Sequence, residues 1–332
     1  MSLDTFVVQT PNKGVGSTTD NLIVEEFTGL VKGTVDRMSA LDGFIPFQPM
    51  KGTDTITSNA IGESTLGVLQ PGVTPNGTKN DFGKIKLTVD TPLFARASFT
   101  LIDIWRTSFD ARAKVAQEQG KKLAKQRDLA LFTQAIKAAL ATQSAYANGV
   151  SGAPAGHFGG SQTTLASSGA ASDPAAVYAA IAKLFAAMEK KDVDPRADNV
   201  LLALGVDTYY TLLQAEQLVN TTYVTAQGTK VENTMVLKAY GVPVINSNNF
   251  PGGKTITGSL LSNAANGNAY DGDFTKVLAV AFSAESLLAG ELSSLQSDVF
   301  FDKVSKHWFA DSWQSYGVTQ DRNEYAGAIL LP

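Results

Sequence analysis

DARAKVAQEQGKKLAKQRDLALFTQAIKAAL, residues 110–140, contains no proline and a single glycine, Gly120. Most of its residues are Ala, Lys, Gln, Leu, Glu and Arg, which lose little freedom on entering a helix. Asp103, Thr107 and Ser108 stand ahead of it as candidate caps. The stretch therefore predicts one continuous helix over about 108–141. At 1.5 Å per residue it spans roughly 45 Å, against a mean helix of about 11–12 residues. Its apolar positions are Ala111, Val115, Leu123, Leu129, Phe132, Ile136 and Leu140, and its first half is polar almost all round. Such a helix bridges between bodies or is laced with ion pairs. Its cations are Arg112, Lys114, Lys121, Lys122, Lys125 and Arg127. They suit a nucleic-acid backbone or acidic loops of another chain, or else a solvated face paired with Glu118 and Asp128.

The region upstream has a different texture. Residues 46–100 open with Ile45-Pro46-Phe47-Gln48-Pro49 and are rich in Thr and Gly, including Thr53, Thr55, Thr57, Gly62 and Gly67. Pro71, Gly72, Pro75, Asn76 and Gly77 form a turn-rich patch. Beyond it, Lys84 to Asp90 and Ala95 to Thr100 alternate polar with apolar residues, the period of half-exposed strands. The expectation is a long β-hairpin with its tip at 71–77 and few large apolar side chains near that tip. A two-stranded hairpin is marginal in water, so it should lean on something else. Residues 1–45 read as an arm. Leu22, Ile23, Phe27, Leu30, Val31, Val35 and Met38 give the 20–41 segment one sticky face that needs a place to dock.

Downstream, residues 146–172 are rich in Ala, Gly and Ser and read as a flexible loop. Ser172-Asp173-Pro174 starts a helix, with Val177, Ile181, Leu184, Phe185 and Met188 as its stripe. Asn199 to Leu204, Gly241 to Ile245 and Lys276 to Phe282 read as buried strands, with a helix from Asp207 through Leu218. This β/α mixture over 173–290 predicts a subdomain. Residues 291–332 carry Phe300, Phe301, Trp308, Phe309, Trp313, Tyr316 and Tyr325, and predict long strands returning onto the long helix.

Composition excludes several functions. The 332 residues are 44% hydrophobic, enough for a substantial core. Charged residues make up only 17%, below the roughly 25% of an average domain, a weak sign of surface that lies against partners. The net charge of −4 is unlike that of a dedicated nucleic-acid binder. There is no cysteine, which removes disulfides, thiolate metal sites and thiol nucleophiles. The N-terminus lacks a secretory pattern, and no run reaches the roughly 20 apolar residues of a membrane span. Gly14-Val15-Gly16-Ser17 lacks the lysine and the strand-then-helix setting of a phosphate loop. His157, in the Gly/Ala/Ser stretch, reads as a solvated loop histidine, and His307, beside Trp308 and Phe309, as a strand residue. Asn266 to Asp273 resembles part of a calcium loop without its glutamate, so a polar turn is the better reading. Glu25-Glu26 reads as solubilising charge. No catalytic residue, cofactor or metal ligand is expected.

The order of the parts carries the positive reading. An arm, a long hairpin, a long polar helix, a β/α subdomain and returning strands follow one another. Together with LFARASFTLIDIW (93–105), YGVPVI (240–245) and DRNEYAGA (321–328), that order resembles the major capsid proteins of tailed bacteriophages. Their α+β Hong Kong 97 fold is implied, closest to the short-tailed (podovirus) type. The resemblance assigns 1–45 to the N-arm, 46–100 to the E-loop and 101–172 to a P-domain with its spine helix. It assigns 173–290 to the A-domain and 291–332 to P-domain return strands. It implies self-assembly into hexamers and pentamers of an icosahedral shell around double-stranded DNA, contacted non-specifically. A separate scaffolding protein and a portal protein at one vertex would be partners, with room for a decoration protein outside and no membrane. The chain would reside in the host cytoplasm before assembly and in the virion after it. An encapsulin-like compartment shell is the alternative within the fold. A metal-dependent hydrolase is the alternative of another class.

Overall fold

A computed structural model of the chain describes residues 30–35, 39–41, 43–69, 71–72, 77, 80–100, 111–147, 154–215, 238–305 and 307–332. In chain order its elements are β1 (Gln48–Pro49), β2 (Thr55–Ile61), β3 (Phe82–Thr88), β4 (Pro92–Thr100), α1 (Ala111–Leu140), β5 (Ser161–Thr164) and α2 (Pro174–Glu189). Then come β6 (Leu201–Leu204), α3 (Val206–Leu213), β7 (Lys238–Ala239), β8 (Val242–Asn246), β9 (Thr255–Ile256), β10 (Gly272–Asp273) and β11 (Val277–Phe282). β12 (Leu287–Asp302), β13 (His307–Gln320) and β14 (Ala326–Leu330) complete the chain. Two units share it. One holds residues up to 39, 92–126 and 293–315, and the other holds 40–91, 127–292 and 316–332.

The expected long helix is α1, and its two halves differ. From Ala130 to Ile136 every side chain is buried, whereas Lys114, Glu118, Lys121, Lys122 and Lys125 in the first half are exposed. A helix that is apolar all round belongs in a core. Here Phe132 makes edge-to-face contacts with Phe250 and Phe282, at 5.6 and 6.3 Å between centroids.

That core belongs to a six-stranded sheet, ordered β5-β14-β11-β6-β8-β7. β11 (VLAVAF) is its central hydrophobic strand, antiparallel to both β14 and β6. β6 and β8 are parallel. α2 starts as its sequence predicts: Asp173 accepts the Ala175 N–H, and Pro174 opens the first turn. Its stripe of Val177, Ile181, Leu184, Phe185 and Met188 packs against Leu202, Leu204, Ala279, Ala281 and Ile329.

In the first unit, β13 and β4 pair antiparallel from His307 opposite Thr100 to Ser315 opposite Pro92. Gln119 of α1 reaches this pair, donating to the Ala310 carbonyl at 3.0 Å and accepting from Ser312 at 2.7 Å. Gly120 meets the helical segment 30–35. A Cβ there would lie 2.9 Å from the Val31 carbonyl oxygen. Val31 and Val35 are buried, so these two residues of the expected sticky face are covered within the chain.

Several expectations are corrected. Residues 92–100, placed with the hairpin, form β4 beside β13 instead; alternation reports a half-buried strand but not its partner. β14 inserts between β5 and β11, a partnership that its sequence does not announce. Within residues 146–172, expected as a flexible loop, lie β5 and a 3-10 turn at residues 168–172. Gly160 explains this: its N–H donates to the Ala141 carbonyl at 2.8 Å, where any side chain would collide with the end of α1. The helix expected through Leu218 is described to Leu213. Residues 216–237, the segment 1–29 with Gly14 to Ser17 and Glu25-Glu26, and residues 101–110 with the candidate caps lie outside the described residues.

Candidate assembly surfaces

β2 and β3 form the hairpin, in register from Thr55 opposite Thr88 to Ile61 opposite Phe82. Its alternation is real: Gly83, Ile85 and Leu87 are buried, while Phe82, Lys84, Lys86 and Thr88 are exposed. The buried face gives it a fixed base. Ala60 and Ile85 pack on Tyr146. Ser58 Oγ lies 2.8 Å from the Tyr146 hydroxyl, which donates to Asp321. Burial, followed by that bond to Asp321, pushes the Tyr146 hydroxyl far above the ordinary tyrosine range. Gly83 makes the fit possible, because a Cβ there would stand 2.6 Å from the Tyr146 Cβ. Beside it, His157 Nδ1 is 3.3 Å from Glu324 Oε1, with the two side chains only 9% and 6% exposed. His157 is therefore a buried partner of a carboxylate rather than a solvated loop residue. Its other nitrogen lies 3.3 Å from the Ile61 carbonyl, at the end of β2.

Beyond this base the Glu63 N–H still donates to the Ala155 carbonyl at 2.8 Å, but the large apolar side chains are bare. Ile61, Leu66, Val68, Leu69 and Phe82 are 61%, 98%, 90%, 75% and 74% exposed. The expectation of few large apolar residues near the tip is thus corrected: Leu66-Gly67-Val68-Leu69 carries three in four positions without strand periodicity. Of the tip residues, Pro71, Gly72 and Gly77 are exposed, with Gly72 at φ +84°. Pro75 and Asn76 lie outside the described residues. Exposed apolar surface of this kind marks an interaction site.

The described cations of α1 do not share one environment. Lys114, Lys121, Lys122 and Lys125 are exposed, and none has a carboxylate partner among the described residues. Arg127 lies elsewhere, its guanidinium 4.4 Å from the Phe47 ring centroid. Asp128, one of the two carboxylates offered as partners in the solvated-face alternative, is buried and accepts from the Ala40 N–H and Asn249 Nδ2, both at 2.9 Å. The side chain of Arg112 lies outside the described residues.

A third surface was not anticipated. Arg96 of β4 binds Asp311 of β13 through two nitrogens, with Nε at 2.7 Å from Oδ1. Its guanidinium lies against Phe94, Phe300 and Phe309. The strand register brings Arg96 opposite Asp311, a pairing across 215 residues with no local sequence signal. Phe94 is 56% exposed, so an apolar strip borders the ion pair.

The other residues considered for chemistry are structural. Asp271 accepts from the Gly258 and Ser259 N–H groups and the Ser262 hydroxyl, and these bonds hold its carboxyl below the ordinary range. Asn263 and Asn266 bond to each other, as a polar turn should. His307 Nδ1 lies 2.6 Å from the Ser305 carbonyl. Among the described residues no group of three or more His, Cys, Asp or Glu is placed to hold a metal, and no helix is long and apolar enough to cross a membrane.

A sequence model of the Gp10A-like family, described as major capsid protein, matches residues 87–288. No curated protein matches significantly. Among solved structures, the capsid of cyanophage P-SCSP1u superposes with a TM-score of 0.73 at 15% identity, over 89% of this chain and 88% of that one. The mature capsid of bacteriophage PhiM1 gives 0.71 at 22% identity, over 88% and 87%. The virus-like particle from Pyrococcus furiosus gives 0.53 at 11% identity, over 93% and 99%. These likenesses establish the α+β Hong Kong 97 fold.

Proposed function

The chain belongs to the Gp10A-like family of major capsid proteins, and from that premise we propose how its surfaces build a shell. It is a shell subunit of a phage virion, and the family match disfavours the encapsulin-like alternative. The finer reading is a subunit of hexamers and pentamers around double-stranded DNA, in a short-tailed phage, without catalytic activity. In this reading residues 1–45 are the N-arm and 46–91 the E-loop. α1 is the spine, the β/α region the A-domain, and β12 and β13 the return strands of the P-domain. A separate scaffolding protein and a portal protein act with it. A decoration protein is accommodated outside, and assembly begins in the host cytoplasm.

The observation that carries the reading is the hairpin. Its base is fixed by Tyr146, Ser58 and Asp321, while five large apolar side chains beyond the base are exposed. A ribbon held in that way is suited to lie on a neighbouring copy. Head-to-tail contacts of this type close into rings, and many weak contacts act together. The lysine stripe of α1 supports non-specific contact with the packaged duplex.

The test replaces residues 63–80 by an Asn-Gly turn, keeping Gly62 and Asp81, whose backbones already bond at 2.8 Å. The expected product is a folded, soluble chain that forms no closed particles in negative-stain micrographs, with or without scaffolding protein. Closed shells from this variant would sink the hairpin assignment.

A further inference from the structure

β6 and β8 run parallel, with Leu202 opposite Val244 and Leu204 opposite Asn246. Crevices beyond the carboxyl ends of parallel strands are where open α/β sheets bind ligands. Here both strands run out into one cleft of about 330 Å³, lined by Gly205 to Thr208 after β6 and by Ser247 and Asn248 after β8. The cleft is rich in unused donors. The amides of Val206, Asp207 and Thr208 open α3, where a helix offers them no acceptor. The N-cap is Gly205, at φ −63° and ψ 154°, with no side chain to accept from them. Thr208 is only 7% exposed, and its hydroxyl has no hydrogen-bond partner among the described residues. Lys254 lines the same cleft and is exposed. Asp207 also lines it. Its carboxylate opposes further negative charge, which limits the occupant to one small anionic group.

We propose that this cleft is an oxyanion-binding site. It takes a single phosphate- or carboxylate-sized group on the first-turn amides of α3, the Thr208 hydroxyl and Lys254. Anions favour a helix N-terminus because the free amides and the helix dipole act together. The Thr208 hydroxyl, lining the same cleft, adds a further donor.

Thermal unfolding of the full chain, titrated separately with inorganic phosphate and acetate, tests this in wild type, Gly205→Asp and Thr208→Val. A Cβ at Gly205 meets nothing closer than 3.8 Å, and its φ suits any L-residue. The Asp variant therefore folds, and its own carboxylate caps the amides. Phosphate stabilises proteins generally by exclusion from their surface, so the informative quantity is the difference between wild type and variants. The expected result is a saturable rise in Tm for wild type that is absent in Gly205→Asp. In Thr208→Val its midpoint concentration moves up about tenfold. A rise with both anions assigns any single oxyanion, including a carboxylate from a neighbouring copy. A rise with phosphate alone assigns a phosphoryl group, and with acetate alone a carboxylate. No saturable rise in wild type, or equal rises in all three proteins, overturns the proposal.

Discussion

Gly160 sits against the end of α1, where a Cβ would stand 2.3 Å from the Ala139 carbonyl oxygen and 2.4 Å from that of Ala138. Backbone cannot yield as a flexible side chain can. Gly160→Ala should therefore destabilise the fold by about 3 kcal/mol, read as a lower urea midpoint at unchanged slope. A midpoint within error of wild type would show that the contact relaxes freely. Composition cannot distinguish a glycine kept for freedom from one kept for close approach, which is why residues 146–172 read as flexible. His157 shows the same blindness. Its carboxylate partner, Glu324, lies 167 residues away, and no local pattern joins them. Asp271 permits a test by pH. Three donors hold its carboxyl below the ordinary range, so the folded state binds its proton more weakly than the unfolded state does. That contribution is fully present above the unfolded value of about 3.9 and is lost as pH falls through the lower folded value. Asp271→Asn, which turns one acceptor into a donor facing donors, should be less stable than wild type at pH 7. The gap should narrow below about pH 4. A gap that stays constant down to pH 2 would remove the carboxylate from the acid response.

At the scale of elements, α1 and α2 were legible because a helix writes its period and its caps into consecutive residues. β2 and β3 were legible as strands for the corresponding reason. Strand partners were not. β4 alternates as clearly as β3 does, yet it pairs with β13, and β14 joins the sheet of β11 and β5. Pairing depends on residues hundreds of positions apart, so period alone leaves it open. The hairpin's outer end escaped for another reason: Leu66, Val68 and Leu69 belong to no periodic run, and only their exposure shows that they lack a partner. The triple variant Leu66→Ser, Val68→Ser, Leu69→Ser separates folding from assembly. These side chains are already in water, so unfolding free energy should change by less than about 0.5 kcal/mol. Particle formation should be lost in sedimentation and micrographs. A large loss of stability would instead mean that the three residues pack within their own chain.

At the scale of the whole molecule, the chain carries a net charge of −4, whereas the proposed function has it enclose a polyanion. A uniformly acidic inner surface would repel it, so a local cationic face has electrostatic value out of proportion to its size. Lys114, Lys121, Lys122 and Lys125 supply such a face. They fall within 12 residues of one helix, roughly 16 Å from first to last, and are exposed with no carboxylate partner among the described residues. Glu118 lies in the same half of the helix and is exposed too, which tempers the field without cancelling it. Contact with a duplex backbone releases counterions, and each neutralised phosphate contributes about 0.9 to the slope of log affinity against log salt. Replacing all four lysines by Gln should therefore flatten that slope by up to about 3.6 for random-sequence duplex DNA, measured by fluorescence anisotropy on the full chain. The variant should still assemble, since the change leaves the hairpin and the buried face of α1 untouched. The opposite pattern, an unchanged slope with failed assembly, would place acidic groups of a neighbouring copy against this stripe and remove it from the DNA-facing surface.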